Sequence, residues 1–112
     1  MIHHMKLYDD PFRMIKKGEK TIELRLNDEK RRKVKTGDTI VFKNTVSGEE
    51  ISVMVLNIYT FGSFEELYKN LPLDKCGYRE GENPSPSHMD KYYSRDMQDK
   101  YGVLGIEIRV AE

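Results

Sequence analysis

Ile51–Tyr59 is a strand-length run that is apolar on both faces, and it limits what this chain can become. Successive side chains in a strand point to opposite sides, so such a run needs cover on both. It belongs in the middle of a sheet or in the wall of a covered barrel. Three other strands surround it. Residues 2–7 are short and mixed. Thr21–Leu26 alternates, and Thr39–Phe42 follows the turn Thr36-Gly37-Asp38. Gly102–Val110 closes the chain as a further strand. Between them the spacing predicts three short helices. Asp9, Asp10 and Pro11 start one over 9–17, with an Asp cap, and Gly18 stops it. Ser63 and Glu66 form a capping pair for a second over 63–71, whose apolar stripe is Phe64, Leu67, Tyr68 and Leu71. Ser87 and Asp90 cap a third over 87–96, with Met89, Tyr92 and Tyr93 as its core face, and residues 72–87 between them read as a surface loop. Strands and helices do not alternate as β-α-β units. The expected fold class is therefore mixed α/β (α+β), a small barrel of six or slightly fewer strands with short peripheral helices, in a single domain over 1–112.

Charge narrows the partners. Nineteen Lys and Arg balance nineteen Asp and Glu, so no net field draws the chain onto nucleic acid or anionic lipid. Any nucleic-acid site has to be local. No apolar run approaches the roughly 20 residues that span a bilayer, and no signal peptide is visible. Cys76 is the single cysteine, which excludes an internal disulfide and reads as a small buried residue. These features predict a cytoplasmic protein with no membrane role. His3 and His4 are adjacent on an extended chain and point to opposite faces, with His88 distant in sequence, so no metal is expected. No glycine-rich phosphate loop is present, and no cofactor is implied.

Thr21–Leu26 holds the most unusual chemistry. Ile22, Leu24 and Leu26 point one way, while Thr21, Glu23 and Arg25 share the other face. The simpler reading of that polar face is exposure to solvent. The functional reading places a carboxylate and a guanidinium at the mouth of a small barrel, where Arg suits bidentate or stacked contact with a nucleotide. By strict alternation Lys20 points with Ile22, and it joins Glu23 only if the exit at Gly18 re-aims it. The following charge run, Asp28 to Lys33, carries both signs and reads as a solvated turn. Tyr93 and Ser94 end the third helix near a polar loop, where a hydroxyl can line a pocket.

Gly18-Glu19-Lys20-Thr21-Ile22-Glu23-Leu24-Arg25, followed by Lys35-Thr36-Gly37-Asp38-Thr39-Ile40-Val41-Phe42, resembles the ASCH domain. His4-Met5-Lys6-Leu7 with Pro11-Phe12 resembles the family's opening. Tyr92-Tyr93-Ser94 and Tyr101 to Ile106 resemble the close of its small bacterial branch. The resemblance implies a PUA-like β-barrel whose cleft binds RNA or a modified nucleoside. Thr21, Arg25, Asp28, Arg31, Tyr93 and Ser94 are then the ligand-binding candidates.

Some small bacterial members of that family are amidohydrolases that deacetylate N(4)-acetylcytidine, using a Lys, a Thr three residues later and a loop Glu. On that resemblance Lys20 matches the Lys, Glu23 stands in the place of the Thr, and Glu82 aligns with the loop Glu. Lys20, Glu23 and Glu82 are the catalytic candidates, with Thr21 as a hydroxyl that could stand in for the absent Thr. A module that binds a protein partner is the competing expectation from a different class.

Overall fold

The computed structural model describes residues 1–111. Five strands form one curled sheet, a half-barrel: β1 (Ile2–Leu7), β2 (Ile22–Leu26), β3 (Thr39–Asn44), β4 (Glu50–Phe61) and β5 (Val103–Val110), in the order β1-β3-β4-β5-β2. Among the described residues only the β1–β3 pair is parallel. The mixed α+β class and the small barrel-like sheet therefore match the expectation from sequence.

Three helices follow from local signals. α1 (Asp9–Lys16) buries Phe12, Met14 and Ile15, and Gly18 beyond its end has φ +78°. Its cap differs from the expectation: Tyr8 occupies the N-cap, while Asp9 lies inside the first turn and accepts hydrogen bonds from Asn44 and Arg13. α2 (Phe64–Asn70) is capped as expected, with Ser63 Oγ accepting from Glu66 N at 3.1 Å. The third expected helix, over 87–96, is two pieces instead. A 3-10 helix spans Pro86–Lys91, and α3 (Arg95–Tyr101) begins at Ser94, whose Oγ accepts from Met97 N at 3.2 Å. Gln98 holds the break together by donating to both Tyr93 O and Asp90. Of the expected core face Met89 alone is buried, and Tyr92 is 48% exposed.

β4 corrects the opening expectation. It does lie in the middle of the sheet, but one face is open: Ser52, Met54 and Tyr59 are exposed. A bulge explains the double-sided pattern. The β4–β5 register shifts between Val55 and Asn57, so Val53 and Val55 face the core before the shift and Ile58 turns toward it afterwards. Two sequence parities thus serve one buried face. On the open face Tyr59 and Asn57 donate to Glu107, and Arg109 donates to the Met54 sulfur.

The core divides along the sheet. Phe12 and Ile15 of α1 pack with Met5, Ile40, Phe42 and Val53, while Phe64 and Leu67 of α2 pack with Ile22, Leu26, Met89 and Val103. Between these halves the two edge strands, β1 and β2, face each other across a seam. Among the described residues, no helix is long and apolar enough to cross a membrane.

Candidate functional site

The seam opens into a cavity of about 1000 Å³. Its deepest wall comes from β2 and the residues leading into it. The chain leaves α1 at Gly18, and Glu19 N and Lys20 N both donate to Met14 O, so Lys20 sits before the strand, where alternation does not yet apply. That releases Lys20 to point with Glu23. Lys20 Nζ lies 2.9 Å from Glu23 Oε1, and the Arg25 guanidinium meets Glu23 Oε2 at 2.8 Å through Nη2 and 3.0 Å through Nε. Arg25 also donates to the Lys6 carbonyl at 2.7 Å, so its side chain bridges the two edge strands.

All three charges are buried: Lys20 is 9% exposed, Glu23 4% and Arg25 8%. The polar face of β2 is therefore not a solvent face. Burial by itself would raise the Glu23 carboxyl, yet the cations of Lys20 and Arg25 outweigh it and hold the group down at about 2. Arg25 shows the matching balance, because burial opposes its charge while Glu23 raises its pKa above the ordinary value. With two cations against one carboxylate, the cluster keeps a surplus positive charge.

A loop covers the outer side. Thr21 N and Ile22 N both donate to Lys75 O, and Arg79 reaches Asp10 of α1 through both nitrogens at 2.9 and 3.1 Å. The loop must run close over Lys20 at Gly77, which has φ +109° and would place a Cβ 3.3 Å from Lys20 Cδ. Cys76 beside it lines the cavity with its thiol pushed up by burial to about 11. The native protein is expected to resist iodoacetamide at pH 7.5, with Cys76 alkylated only in denaturant, as mass spectrometry would check. Prompt alkylation of the native protein would contradict this.

Aromatic rings form the remaining walls, and five of the seven tyrosines line the cavity. Tyr8 and Tyr92 meet in a tilted contact, 37° between planes and 5.9 Å between centroids, and Tyr92 continues to Tyr93 at 6.5 Å. Opposite them Tyr68 Oη and Tyr78 Oη share a hydrogen bond of 2.8 Å, extended from Tyr78 to His88 Nδ1 at 3.1 Å. Burial and the Tyr78 hydroxyl push the Tyr68 phenol above its ordinary value, so it remains a neutral hydroxyl.

The candidates from sequence fall into two groups. Lys20, Glu23, Arg25, Glu82 and Tyr93 line this one cavity, with Glu82 exposed on the loop and accepting from Arg79 N. Thr21 and Ser94 do not line it. Thr21 lines a separate cavity of about 300 Å³ with Lys16 and Arg109, and Ser94 is occupied as the cap of α3. Asp28 and Arg31 also lie outside the lining and pair with each other at 2.9 Å, close enough to Tyr93 to act on its hydroxyl. Sequence reasoning does not single out Tyr8, Tyr78 or His88. The one signal for them was a surplus of tyrosine in and beside the loops. Among the described residues no group of three or more His, Cys, Asp or Glu side chains is placed to hold a metal ion.

The family model of the ASCH domain matches residues 5–112. Among solved structures the chain is similar to the hypothetical protein PH0355, at 32% identity over 99% of this chain and 100% of that one, with a TM-score of 0.83. It is also similar to protein PF0455 from Pyrococcus furiosus, at 34% identity over 100% and 99% of the two chains, with a TM-score of 0.75. An ASCH protein from Zymomonas mobilis shares the fold, with a TM-score of 0.65 at 15% identity over 96% of this chain and 66% of that one. No curated protein matches the chain.

Proposed function

The chain belongs to the ASCH-domain family, and from that premise we propose that its cavity binds a nucleoside or a single unstacked base of RNA. The observation that carries this is the buried Lys20–Glu23–Arg25 cluster at the back of a tyrosine-walled cavity. Tyrosine faces suit any base, because every base offers a π-face, and the cationic surplus suits a ligand edge rich in acceptors such as a carbonyl. A volume of about 1000 Å³ holds a nucleoside with room for its sugar. A neutral chain is compatible with this mode, since one inserted base needs no cationic surface for duplex binding.

An NMR titration with the four ribonucleosides and N(4)-acetylcytidine tests the reading. Shifts are expected at Glu23, Arg25 and Tyr93. Lys20→Ala removes a donor to the ligand worth about 1.5–3 kcal/mol, so affinity is expected to fall roughly 10- to 150-fold. No response to any of these, nor to single-stranded RNA, would favour the module that binds a protein partner.

A hydrolytic reading has one supporting observation, that Lys20, Glu23 and Glu82 line the same cavity. In it water attacks the acyl carbon of N(4)-acetylcytidine, the C–N bond breaks, and the departing nitrogen takes a proton, giving acetate and cytidine. Glu23 in the position of the family's Thr leaves no hydroxyl there, and Thr21 lines the other cavity, which is why binding is the reading preferred. Release of cytidine, abolished by both Lys20→Ala and Glu82→Ala, would reverse that preference.

A further inference from the structure

Five of the six positions 30–35 are cationic in a chain whose total charge is zero, so this segment is a local departure from the balance. The fold gives it a shape. Arg31–Lys33 form a 3-10 turn, and Arg32 lies over the ring of Tyr101 at 5.9 Å while Lys100 approaches the same ring at 5.0 Å. Arg32 is held there by donating to Asn27 O at 2.8 Å. Arg31 is matched by Asp28, but among the described residues Lys30, Arg32, Lys33, Lys35 and Lys100 pair with no carboxylate. The segment therefore presents a cluster of exposed cations around one half-buried aromatic ring.

This patch continues from the cavity. Tyr93 stands on the cavity wall, and the Asp28–Arg31 pair, at the start of the turn that carries Arg32, lies within electrostatic reach of its hydroxyl. Cations interleaved with an aromatic ring are the arrangement that tracks a single strand, with phosphates on the cations and a base against the ring. We infer that Lys30, Arg32, Lys33 and Lys100, with Tyr101, form a phosphate track for single-stranded RNA whose neighbouring base enters the cavity. The inference rests on the proposed base-binding cavity and deepens it, from free nucleosides to a polymer. It also reconciles a neutral protein with a nucleic-acid ligand, because the positive field is confined to one strip leading away from Tyr93.

The test measures anisotropy of a fluorescein-labelled ten-nucleotide single-stranded RNA across a salt series, beside NMR titration of the nucleosides. Two charge-reversed variants are used, Arg32→Glu with Lys33→Glu, and Lys30→Glu with Lys33→Glu. The second changes two side chains that make no hydrogen bond among the described residues, and guards against a folding effect of Arg32. Each is expected to weaken RNA binding about tenfold or more, and to lower the slope of log K against log salt by about 1.4, two contacts' worth. Nucleoside shifts at Glu23 and Arg25 are expected to be unchanged. RNA affinity and salt slope that survive both reversals would overturn the track. Nucleoside binding with RNA no tighter than the nucleoside would overturn the track and leave the cavity reading standing. Binding of neither would overturn both.

Discussion

Glu23→Ala is expected to destabilise the protein by about 3–5 kcal/mol, the usual consequence of removing one partner from a buried ion pair. Alanine leaves Lys20 and Arg25, both buried, facing each other without the carboxylate that now separates them. Domains of this size are stable by roughly 5–15 kcal/mol in total, so the melting temperature should fall on the order of 15 °C. Thermal unfolding followed by circular dichroism checks it, and a fall of only a few degrees would show that the cluster is not structurally coupled. Replacing all three charges with Lys20→Met, Glu23→Leu and Arg25→Met is expected to be milder than Glu23→Ala alone, since no charge is left unpaired. That triple variant should fold and fail to bind nucleosides.

The same group sets a pH dependence. Its folded value of about 2 lies below the ordinary 4.5, so the folded state holds the carboxylate more tightly as an anion than the unfolded chain does. The resulting stabilisation, about 3 kcal/mol, is complete above pH 4.5 and is lost progressively as pH falls toward 2. In Glu23→Ala the acid limb of a stability profile should be correspondingly flatter.

Gly102→Ala is the second large effect expected, about 3 kcal/mol or more. Gly102 joins α3 to β5 at φ +71° and ψ −172°, a region that residues with a Cβ scarcely enter. A Cβ there would also lie 2.9 Å from the Phe61 carbonyl oxygen, which is backbone and cannot swing aside. Gly48→Ala makes the control. It has a similar φ of +77° but open space around the added atom, so it should cost only about 1 kcal/mol. Chemical denaturation of the two variants separates conformational strain from collision, and equal losses would remove the argument.

Much of the fold was legible locally, and the failures have local causes too. Alternation marked β2, the Gly-Asp turn marked β3, and the Ser63–Glu66 pair marked α2, because each depends on residues within a few positions of one another. The apolar spacing at Met89, Tyr92 and Tyr93 predicts a helix face, but the same spacing also serves side chains that line a cavity with their rings tilted against one another. β4 was misread because a bulge moves inward-facing residues from one parity to the other, which a linear pattern cannot distinguish from burial on both sides.

By itself the sequence determined the composition of the site and which strand would carry Glu23 and Arg25. Tertiary structure decided that the polar face of β2 is buried, since that depends on β1 and the loop around Gly77 closing over it from distant parts of the chain. It also decided that Lys20 joins Glu23, through backbone bonds to Met14 that delay the start of the strand. The tyrosines were assembled the same way, drawn from residue 8 to residue 93 around one space. Local sequence fixes which way a side chain leaves its own strand or helix, and only packing between distant segments fixes what it meets there.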